Sequence, residues 1–246
     1  MEFLSQNGLD RLEAAHRVAV LTGAGVSAES GVPTFRGEEG LWKKFRPEEL
    51  ANFDAFMRNP ELVWEWYTFR KNIIANIEPN AGHYTLAKLE PRFPEFALIT
   101  QNVDGLHRRA GSNNVLELHG NIMRNRCLNC ETVIDSEELE FEGTVPRCQC
   151  GGMLRPDVVW FGEMLPQRVL HAAFEAAESC DVFFSVGTSA VVHPAASLPI
   201  VAKQNDAYLI EINPEATPLT AIADESLRGA SGEILPVILK DIEERK

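Results

Sequence analysis

Short runs of apolar residues, each ending in small or polar residues, recur along this chain of 246 residues. The runs are 18–21, 96–99, 115–118, 182–186 and 208–212. Runs of this length that are rich in β-branched and aromatic residues are typical of parallel strands buried on both faces. Several are separated by segments with helical periodicity, such as 166–179. The alternation predicts a doubly wound parallel α/β sheet of the Rossmann-like kind, whose ligands bind beyond the carboxyl ends of the strands.

Two segments interrupt this alternation and predict a second, smaller lobe. Residues 38–77 are rich in aromatic side chains and have helical periodicity, and residues 124–154 hold four of the five cysteines. We interpret the first as a helical insertion and the second as a zinc-binding insertion. The Rossmann-like domain then comprises 1–37, 78–123 and 155–246, and the total length suits one α/β domain with an inserted module.

The charge balance bounds the classes of partner. Lys and Arg number 23 and Asp and Glu number 36, so the formal net charge is −13. A charge of this sign repels phosphate backbones and anionic lipids, and it suits a basic partner such as a lysine-bearing protein segment. No apolar stretch reaches the roughly 18 residues of a membrane span, and the N-terminus has no signal-peptide pattern. We therefore expect a cytoplasmic monomer that binds neither membrane nor nucleic acid.

A glycine-rich loop follows the first predicted strand. Its sequence, GAGVSA, matches the dinucleotide-binding pattern G-x-G-x-x-G/A with Gly23, Ala24, Gly25 and Ser27. The first glycine permits a tight turn, the second lets the main chain approach a pyrophosphate, and the following helix start offers free N–H groups. The motif alone is also typical of ordinary tight turns. A dehydrogenase is disfavoured, because the segment about 20 positions later, 43–49, lacks the pattern of a strand ending in an acidic residue.

Four cysteines form two close pairs in the second insertion. The pairs are Cys127 with Cys130, spaced C-x2-C, and Cys148 with Cys150, spaced C-x-C. Four thiolates complete a tetrahedral shell and leave no position for water, so the pattern predicts one structural zinc ion. The second pair is one residue shorter than the usual C-x-x-C, and unligated core cysteines are the alternative. The fifth cysteine, Cys180, has the setting of a small buried apolar residue.

Several motifs taken together resemble one family. They are GAGVS at 23–27, GVPTFRG at 31–37, TQNVDGLH at 100–107, LHG at 118–120 and GTS at 187–189. In this order, over essentially the whole chain, they resemble the sirtuins, the silent-information-regulator family of NAD-dependent protein lysine deacylases. The resemblance implies an enzyme that removes acyl groups from protein lysines, with NAD as co-substrate, acylated lysine-containing segments as partners, and release of nicotinamide and O-acyl-ADP-ribose.

The resemblance assigns His119 as the catalytic base. In the family a ribose hydroxyl must lose a proton, and a neutral imidazole with a pKa of about 6.5 suits that task near pH 7. A lone histidine is more often structural, but the Leu-His-Gly context favours catalysis here; the other histidines lack that context. Asn102 is assigned a catalytic role as well, and Gln101, Asn102 and Asp104 resemble the family's ribose and nicotinamide pocket. Asp104 could instead cap the following helix.

Further cofactor contacts follow from the same resemblance. Phe35 would shield the site from water and from the return of nicotinamide, and Arg36 would contact the cofactor. Thr34 stands where much of the family has Asp. The remaining residues that resemble the family's phosphate, adenosine-ribose and adenine contacts are Gly187, Thr188, Ser189, Asn213, Pro214, Glu215 and Ser231.

The substrate's path and its acyl group can also be assigned. Segment 155–163 resembles the family segment to which the peptide adds as a strand, so Val159 and Phe161 either line the lysine tunnel or pack in the core. Tyr67 and Arg70 lie at i and i+3 of a helical pattern, where a guanidinium and a phenol could bind a carboxylate. Tyr-x-x-Arg is similar to the desuccinylase and demalonylase subgroup (class III), so we expect removal of acetyl and of succinyl or malonyl groups. The alternative is an amphipathic core helix with a surface arginine.

Two other functions compete with the deacylase. A mono-ADP-ribosyltransferase would break the same bond of NAD and pass ADP-ribose to another acceptor. A non-enzymatic NAD-sensing zinc-ribbon module would need no catalytic base, and His119 with the Gln-Asn-x-Asp motif argues against it.

Overall fold

A six-stranded parallel sheet forms the centre of the molecule in the computed structural model, which describes residues 3–32, 50–139 and 143–245. Its strands are β1 Arg17–Thr22, β2 Glu95–Thr100, β3 Val115–Glu117, β7 Val182–Val186, β8 Tyr208–Ile212 and β9 Glu225–Leu227. The order across the sheet is β3-β2-β1-β7-β8-β9, and every neighbouring pair is parallel. This is the Rossmann order, in which the chain passes from β3 to β7 and the strand order reverses between the neighbouring strands β1 and β7. The predicted fold class is confirmed.

Helices cover both faces of the sheet. The described helices are α1 Gln6–Ala14, α2 Ala24–Ala28, α3 Phe53–Arg58, α4 Pro60–Ala75, α5 Ala81–Leu89, α6 Leu106–Arg109, α7 Gln167–Ser179, α8 Leu198–Gln204 and α9 Ser231–Glu244, with 3-10 turns at Glu90–Arg92, Ser136–Glu138 and Ala195–Ser197. Local sequence sets their starts: the Asn59 side chain accepts a hydrogen bond from Leu62 N, and Pro60 occupies the first turn of α4. None of the described helices combines the length and apolarity needed to cross a bilayer.

Successive side chains of β1 pack alternately into two hydrophobic cores, one on each face of the sheet. Val18 and Val20 belong to the core under α1, α5 and α9, whereas Ala19 and Leu21 belong to the core under α7 and α8. Successive strand residues point to opposite faces, so a strand buried on both sides is apolar throughout. Both apolar faces are covered, which leaves the carboxyl ends of the strands as the place where polar residues collect.

A second sheet belongs to the smaller lobe. Its antiparallel strands are β4 Gly120–Cys127, β5 Val133–Asp135 and β6 Leu154–Val158, in the order β5-β4-β6. A third core, called the small-lobe core here, joins this sheet to α3 and α4 and includes Phe56, Trp64, Tyr67, Ile122, Cys127, Leu154 and Trp160. The indole Nε1 of Trp64 donates a hydrogen bond to the Leu154 carbonyl at 2.9 Å. The helices and the cysteine-bearing sheet therefore share one apolar interior, as expected for a zinc-ribbon plus helical lobe.

Candidate active site

Two glycine loops meet where the strand order reverses. The loop after β1 packs on the loop after β7, and Gly25 N donates to Gly187 O at 2.8 Å. A Cβ atom at Gly25 would lie 2.7 Å from that oxygen, and one at Gly23 would lie 2.8 Å from it. Gly187 itself has φ +59. Glycine is therefore required on both loops, because a side chain on either would force them apart. The first turn of α2 follows directly, and its N-cap Gly23 offers no side-chain acceptor to the turn's amides, which suits a phosphate there.

A buried polar cluster lies behind these loops, centred on Ser27. The Ser27 hydroxyl donates to Asp104 Oδ2 at 2.8 Å and accepts a hydrogen bond from Asn102 Nδ2 at 3.1 Å. Asn102 Nδ2 also donates to Gly23 O at 3.0 Å. The amide of Asn102 is thus tied to the glycine loop and to α2 at once. Asn102 and Asp104, assigned to one pocket from the sequence, share Ser27 as a direct partner.

Asp104 has two structural partners. Its Oδ1 accepts a hydrogen bond from Leu106 N at 3.0 Å, at the start of α6, while its Oδ2 accepts from Ser27. Burial raises the pKa of Asp104 above its usual range, against the hydrogen bonds and the positive charge of Arg70, which lower it. Gly105 is the N-cap of α6 and no side chain caps that helix, so the contact to Leu106 N is a turn before the helix and not the predicted N-cap. The place of Asp104 in the pocket stays a prediction.

His83 completes the cluster and was not singled out from the sequence. Asn80 N donates to His83 Nδ1 at 3.3 Å, so the ring carries its proton on Nε2 and donates it to Ser27 Oγ at 3.3 Å. Burial lowers the pKa of His83 to about 4, which keeps the ring neutral. The available signal was the capping box at the start of α5, where Asn80 and His83 cap one another.

His119 lies at the turn between β3 and β4. Its Nδ1 is 3.0 Å from the main-chain oxygen of Gln101, and because a carbonyl only accepts, Nδ1 carries the proton and Nε2 is left unprotonated. Burial lowers the pKa of His119 below its usual range, opposed by the hydrogen bond to Gln101. The next residue, Gly120, has φ +78, and a Cβ there would lie 2.1 Å from the oxygen of Asp157. The turn that presents the imidazole therefore requires glycine at position 120, the last residue of the Leu-His-Gly motif.

The four cysteines converge at one end of the small lobe. The sulfurs of Cys127 and Cys150 are 3.5 Å apart, those of Cys130 and Cys148 are 3.7 Å apart, and all four lie within 4.8 Å of one another. A tetrahedral zinc with Zn–S bonds of about 2.3 Å places its ligands roughly 3.8 Å apart, so the donor set fits zinc. After the shorter pair, Gly151 has φ +84 and its N–H donates to Cys148 O at 2.8 Å, which closes a turn over 148–151.

Comparison with known proteins decides the family. The Sir2 family model matches residues 23–194. The NAD-dependent protein deacylase of Aquifex aeolicus is 58% identical over 212 residues, covering 84% of this chain and 87% of its own length. NAD-dependent protein deacylase 2 of Pyrobaculum aerophilum is 51% identical, covering 97% and 96%. The chain belongs to the Sir2 family.

Solved Sir2 structures agree with this assignment. An ADP-ribose complex of a mutant Sir2 homologue superposes with a TM-score of 0.94 at 48% identity, covering 98% of each chain. A Sir2 homologue bound to NAD gives 0.92 at 48% identity, covering 99% of this chain and 96% of that one. A Sir2 protein bound to a myristoylated histone peptide gives 0.77 at 40% identity, covering 97% and 96%. The predicted NAD-dependent protein deacylase with a structural zinc is confirmed, so of the three functions weighed from the sequence the first is the correct one.

In this Sir2 enzyme Arg70 is buried. Only 8% of it is exposed, and its guanidinium lies over the ring of Trp66 at 4.7 Å and that of Tyr67 at 5.8 Å. Together with Ser27, Asn102 and Asp104, Arg70 lines a small cavity between α4 and the loops after β1 and β2. Burial lowers the pKa of Arg70, while Tyr67 and Asp104 raise it, and a guanidinium remains charged. The alternative of a surface arginine is wrong.

Tyr67 lies deeper than Arg70. It is 1% exposed within the small-lobe core, and its hydroxyl accepts a hydrogen bond from Trp160 Nε1 at 2.8 Å. Burial raises the pKa of Tyr67 above its usual value, so the hydroxyl keeps a proton that it can donate. Tyr67 and Arg70 therefore lie beside each other on α4, as the i, i+3 spacing predicts, and the guanidinium lies over the phenol ring.

The proposed substrate segment runs past His119. Val159 is half-buried, and its N–H donates to the main-chain oxygen of His119 at 2.9 Å. Phe161 is 59% exposed, so core packing does not describe it, and its N–H donates to Ala51 O at 3.0 Å. This segment therefore bridges the histidine turn and the small lobe.

The remaining predicted contacts lie on three loops and one helix start. Gln101 Nε2 donates to Thr188 Oγ1 at 3.0 Å, which ties the loop after β2 to that after β7. Ser189 is exposed, as are Pro214 and Glu215 on the loop after β8, where Asn213 is half-buried. Ser231 opens α9, and its hydroxyl donates to Glu29 Oε1 at 2.9 Å. Phe35, Arg36 and Thr34 lie outside the described residues. The role of each of these residues stays a prediction.

Proposed function

We propose that this Sir2 enzyme deacylates lysine side chains in extended protein segments, and that it accepts acyl groups ending in a carboxylate as well as acetyl groups. The observation that carries the second part is the burial of Arg70 on the wall of the cavity that Asn102 and Asp104 also line. A guanidinium matches a carboxylate in shape and charge, and water competes less for its donors when it is buried.

Bound NAD would supply the ribose, a hydroxyl of which receives the acyl group, and the nicotinamide that leaves. The chain's own contribution at this step is a base. His119 presents an unprotonated Nε2, held in that tautomer by the Gln101 carbonyl, and it can remove a proton from a ribose hydroxyl. Its lowered pKa keeps the ring neutral at pH 7, so the base is ready without prior deprotonation.

Asn102 and Asp104 would fix the nicotinamide half of the cofactor. Asn102 Nδ2 donates hydrogen bonds to Gly23 O and Ser27 Oγ. These two bonds fix the orientation of the amide and leave its Oδ1 as the acceptor. The cluster around Ser27 is buried and mutually hydrogen-bonded, so these groups are set in place before the ligand arrives. Preorganised dipoles of this kind cost little to rearrange during the reaction.

The acyl group would extend towards α4. A succinyl or malonyl carboxylate could accept hydrogen bonds from the guanidinium of Arg70, which α4 holds against the rings of Trp66 and Tyr67. Tyr67 would act mainly by supporting the guanidinium of Arg70, since its hydroxyl already accepts a hydrogen bond from Trp160. A myristoyl group, which is part of the peptide bound by one Sir2 relative, offers no such carboxylate, and the two acyl classes can therefore be separated by assay.

One chain would form the whole site as a monomer, with the helical insertion 38–77 and zinc insertion 124–154 as the small domain and 1–37, 78–123 and 155–246 as the NAD-binding domain. Support comes from a contact between the two units, in which the N–H of Phe161 in the NAD-binding domain donates to Ala51 O in the small domain. A peptide that binds beside Val159 and Phe161 would lie between them. We expect no nucleic-acid ligand, in line with the net charge of −13.

The test is a panel of acetyl-, succinyl-, malonyl- and myristoyl-lysine peptides of one sequence, assayed with NAD. We expect nicotinamide and deacylated peptide in equal amounts, with succinyl or malonyl peptides among the good substrates. Turnover of acetyl or myristoyl peptides alone would refute the acidic-acyl proposal. Nicotinamide release without deacylated peptide, with ADP-ribose attached to protein, would instead establish an ADP-ribosyltransferase.

A further inference from the structure

A buried carboxylate lies under the loop that follows β8. Glu211 is 1% exposed, and its side chain accepts hydrogen bonds from four donors. They are the hydroxyls of Thr217, Thr220 (2.7 Å) and Ser226 (3.0 Å), and Nη2 of Arg228 (3.1 Å). An ionised carboxylate is costly to bury unless it is paired and hydrogen-bonded, and all of these donors meet that need.

Arg228 connects this carboxylate to the main chain of the loop. Its Nη1 donates to the carbonyl oxygen of Glu215 at 2.9 Å and lies 3.4 Å from that of Asn213. Its Nη2 donates to Thr220 Oγ1 at 2.8 Å as well as facing Glu211. The planar fork therefore holds an acidic partner on one arm and two loop carbonyls on the other, a geometry that an ammonium group cannot reproduce.

Residues 213–220, called the β8 loop here, depend on side chains for their shape. Asn213 Nδ2 donates to Glu215 O at 2.8 Å, and Thr217 N donates to Thr220 Oγ1 at 2.9 Å. No helix or strand is assigned between β8 and β9 in this described part of the chain. The loop contains one buried apolar side chain, Leu219, and otherwise depends on local hydrogen bonds for its conformation. Here they converge on Glu211 and Arg228.

We propose that Glu211 and Arg228 are positioning residues that hold the β8 loop in the conformation that receives the adenosine half of NAD. The inference rests on the proposed function, with NAD as co-substrate, and on the sequence-based prediction that Asn213 and Glu215 contact that half. Neither Glu211 nor Arg228 is required to touch the cofactor. Their effect is to fix the loop before binding, so that the ordering cost is not added to the binding step.

The position in the sheet predicts which kinetic constant changes. His119 follows β3, whereas the β8 loop follows β8, four strand spacings away in the order β3-β2-β1-β7-β8. At about 4.8 Å per spacing the two sites are roughly 19 Å apart. A change in loop order should therefore weaken NAD binding and leave the chemical step unchanged.

The experiment compares Arg228→Met with wild type at saturating acyl-peptide. We expect KM for NAD and the calorimetric Kd for ADP-ribose to rise about five- to twentyfold, with kcat within about twofold. Arg228→Lys should recover only part of the loss. The control is Arg245→Met, which removes an arginine paired with Asp10 and Glu13 on another surface, and it should leave both constants unchanged.

A second variant tests the pair. Glu211→Gln should raise KM in the same direction, and the double variant with Arg228→Met should cost much less than the product of the two single effects. If Glu211→Gln fails to fold, Arg228→Met alone decides. An unchanged KM in Arg228→Met, or a fall in kcat of the same size as the rise in KM, would overturn the inference.

Glu215→Ala separates this inference from the proposed function. If Glu215→Ala leaves KM for NAD unchanged while Arg228→Met raises it, the loop matters but the assigned adenosine contact is wrong. If Glu215→Ala raises KM while Arg228→Met does not, the contact is right and the positioning role is wrong. If both variants raise KM for NAD, the adenosine contact and the positioning role are both supported.

Discussion

The imidazole Nδ1 of His119 lies 3.0 Å from the main-chain oxygen of Gln101. The carbonyl fixes the ring tautomer, since it can only accept a hydrogen bond, and it turns the basic Nε2 away from the sheet's end residue. Gln101 directly follows β2, the neighbour of β3. The pairing of two adjacent parallel strands therefore sets the orientation of this imidazole, and His119 is the one of six histidines to which we assign the role of base.

The pH dependence of turnover follows from this arrangement. A protonated imidazole cannot accept a proton, and burial lowers the pKa of His119, so activity is present above that pKa and is lost as the pH falls through it. We expect the acid limb of kcat to lie below the ordinary imidazole value of about 6.5. The measurement is kcat from pH 5 to 8 at saturating substrates, with recovery of activity on return to pH 7.5 as a control for unfolding. A limb centred above 6.5 would contradict the assignment.

Stability should also fall in mildly acidic solution because of His83. Its native pKa is lowered to about 4 by burial, whereas in the unfolded chain it is near 6.5. The unfolded state thus binds an extra proton between these values, so stability that is present at neutral pH is lost as the pH drops from 6.5 towards 4. The difference amounts to about 3 kcal/mol from this residue, and buried His107, whose pKa is also lowered, acts in the same direction.

Urea unfolding at pH 7 and pH 4.5 measures this loss of free energy. In His83→Gln the change between the two pH values should be smaller than in wild type, whatever the variant's stability at pH 7. The exposed His171 gives the matched control, since His171→Gln should keep the wild-type change. Equal changes in all three proteins would show that His83 is not buried in the neutral form.

The sequence predicted the parts of the site that depend on local geometry, namely the glycine-rich loop after β1 and the four cysteines spaced for zinc. Close approach of the main chain and metal ligation each restrict the residue type, although the contact of Gly23 and Gly25 with Gly187 O was not predicted. The burial of Arg70 and the hydrogen bond between His83 and Ser27 could not be predicted from local sequence. Both depend on which elements pack together, and α4 and α5 meet the glycine loop only in the folded chain.

Arg70→Met tests the acyl preference. Removing one buried charge-assisted contact should cost about 2–3 kcal/mol in kcat/KM for a succinyl-peptide, while the acetyl-peptide should change by less than about 1 kcal/mol. Steady-state assays on peptides of one sequence provide both numbers. Arg58→Met, at the exposed end of α3, is the control. Equal losses on both substrates would mean that Arg70 supports the fold or the cofactor pocket and does not read the acyl end.

Removal of the metal should unfold the small lobe. Cys127 is buried in the small-lobe core beside Leu154, so loss of the zinc that joins the four sulfurs exposes apolar surface as well as breaking ligation. We expect one zinc per chain by atomic spectroscopy. In Cys130→Ser we expect loss of the zinc and a tryptophan fluorescence spectrum that shifts towards that of the unfolded protein. Cys180→Ala, which alters the cysteine outside the cluster, should keep the full zinc content. A zinc-free Cys130→Ser protein with wild-type activity would contradict a structural role.

The most direct test of the whole account is a single variant, His119→Ala, studied by two measurements on one preparation. Calorimetry should give a Kd for NAD within a few-fold of wild type, because the glycine loops and the Ser27 cluster are intact. Deacylation of acetyl- and succinyl-peptides should fall by at least about 10²–10⁴-fold, the usual contribution of a positioned general base. Turnover near the wild-type rate with either peptide would show that another group takes the proton, and the site as described would be wrong.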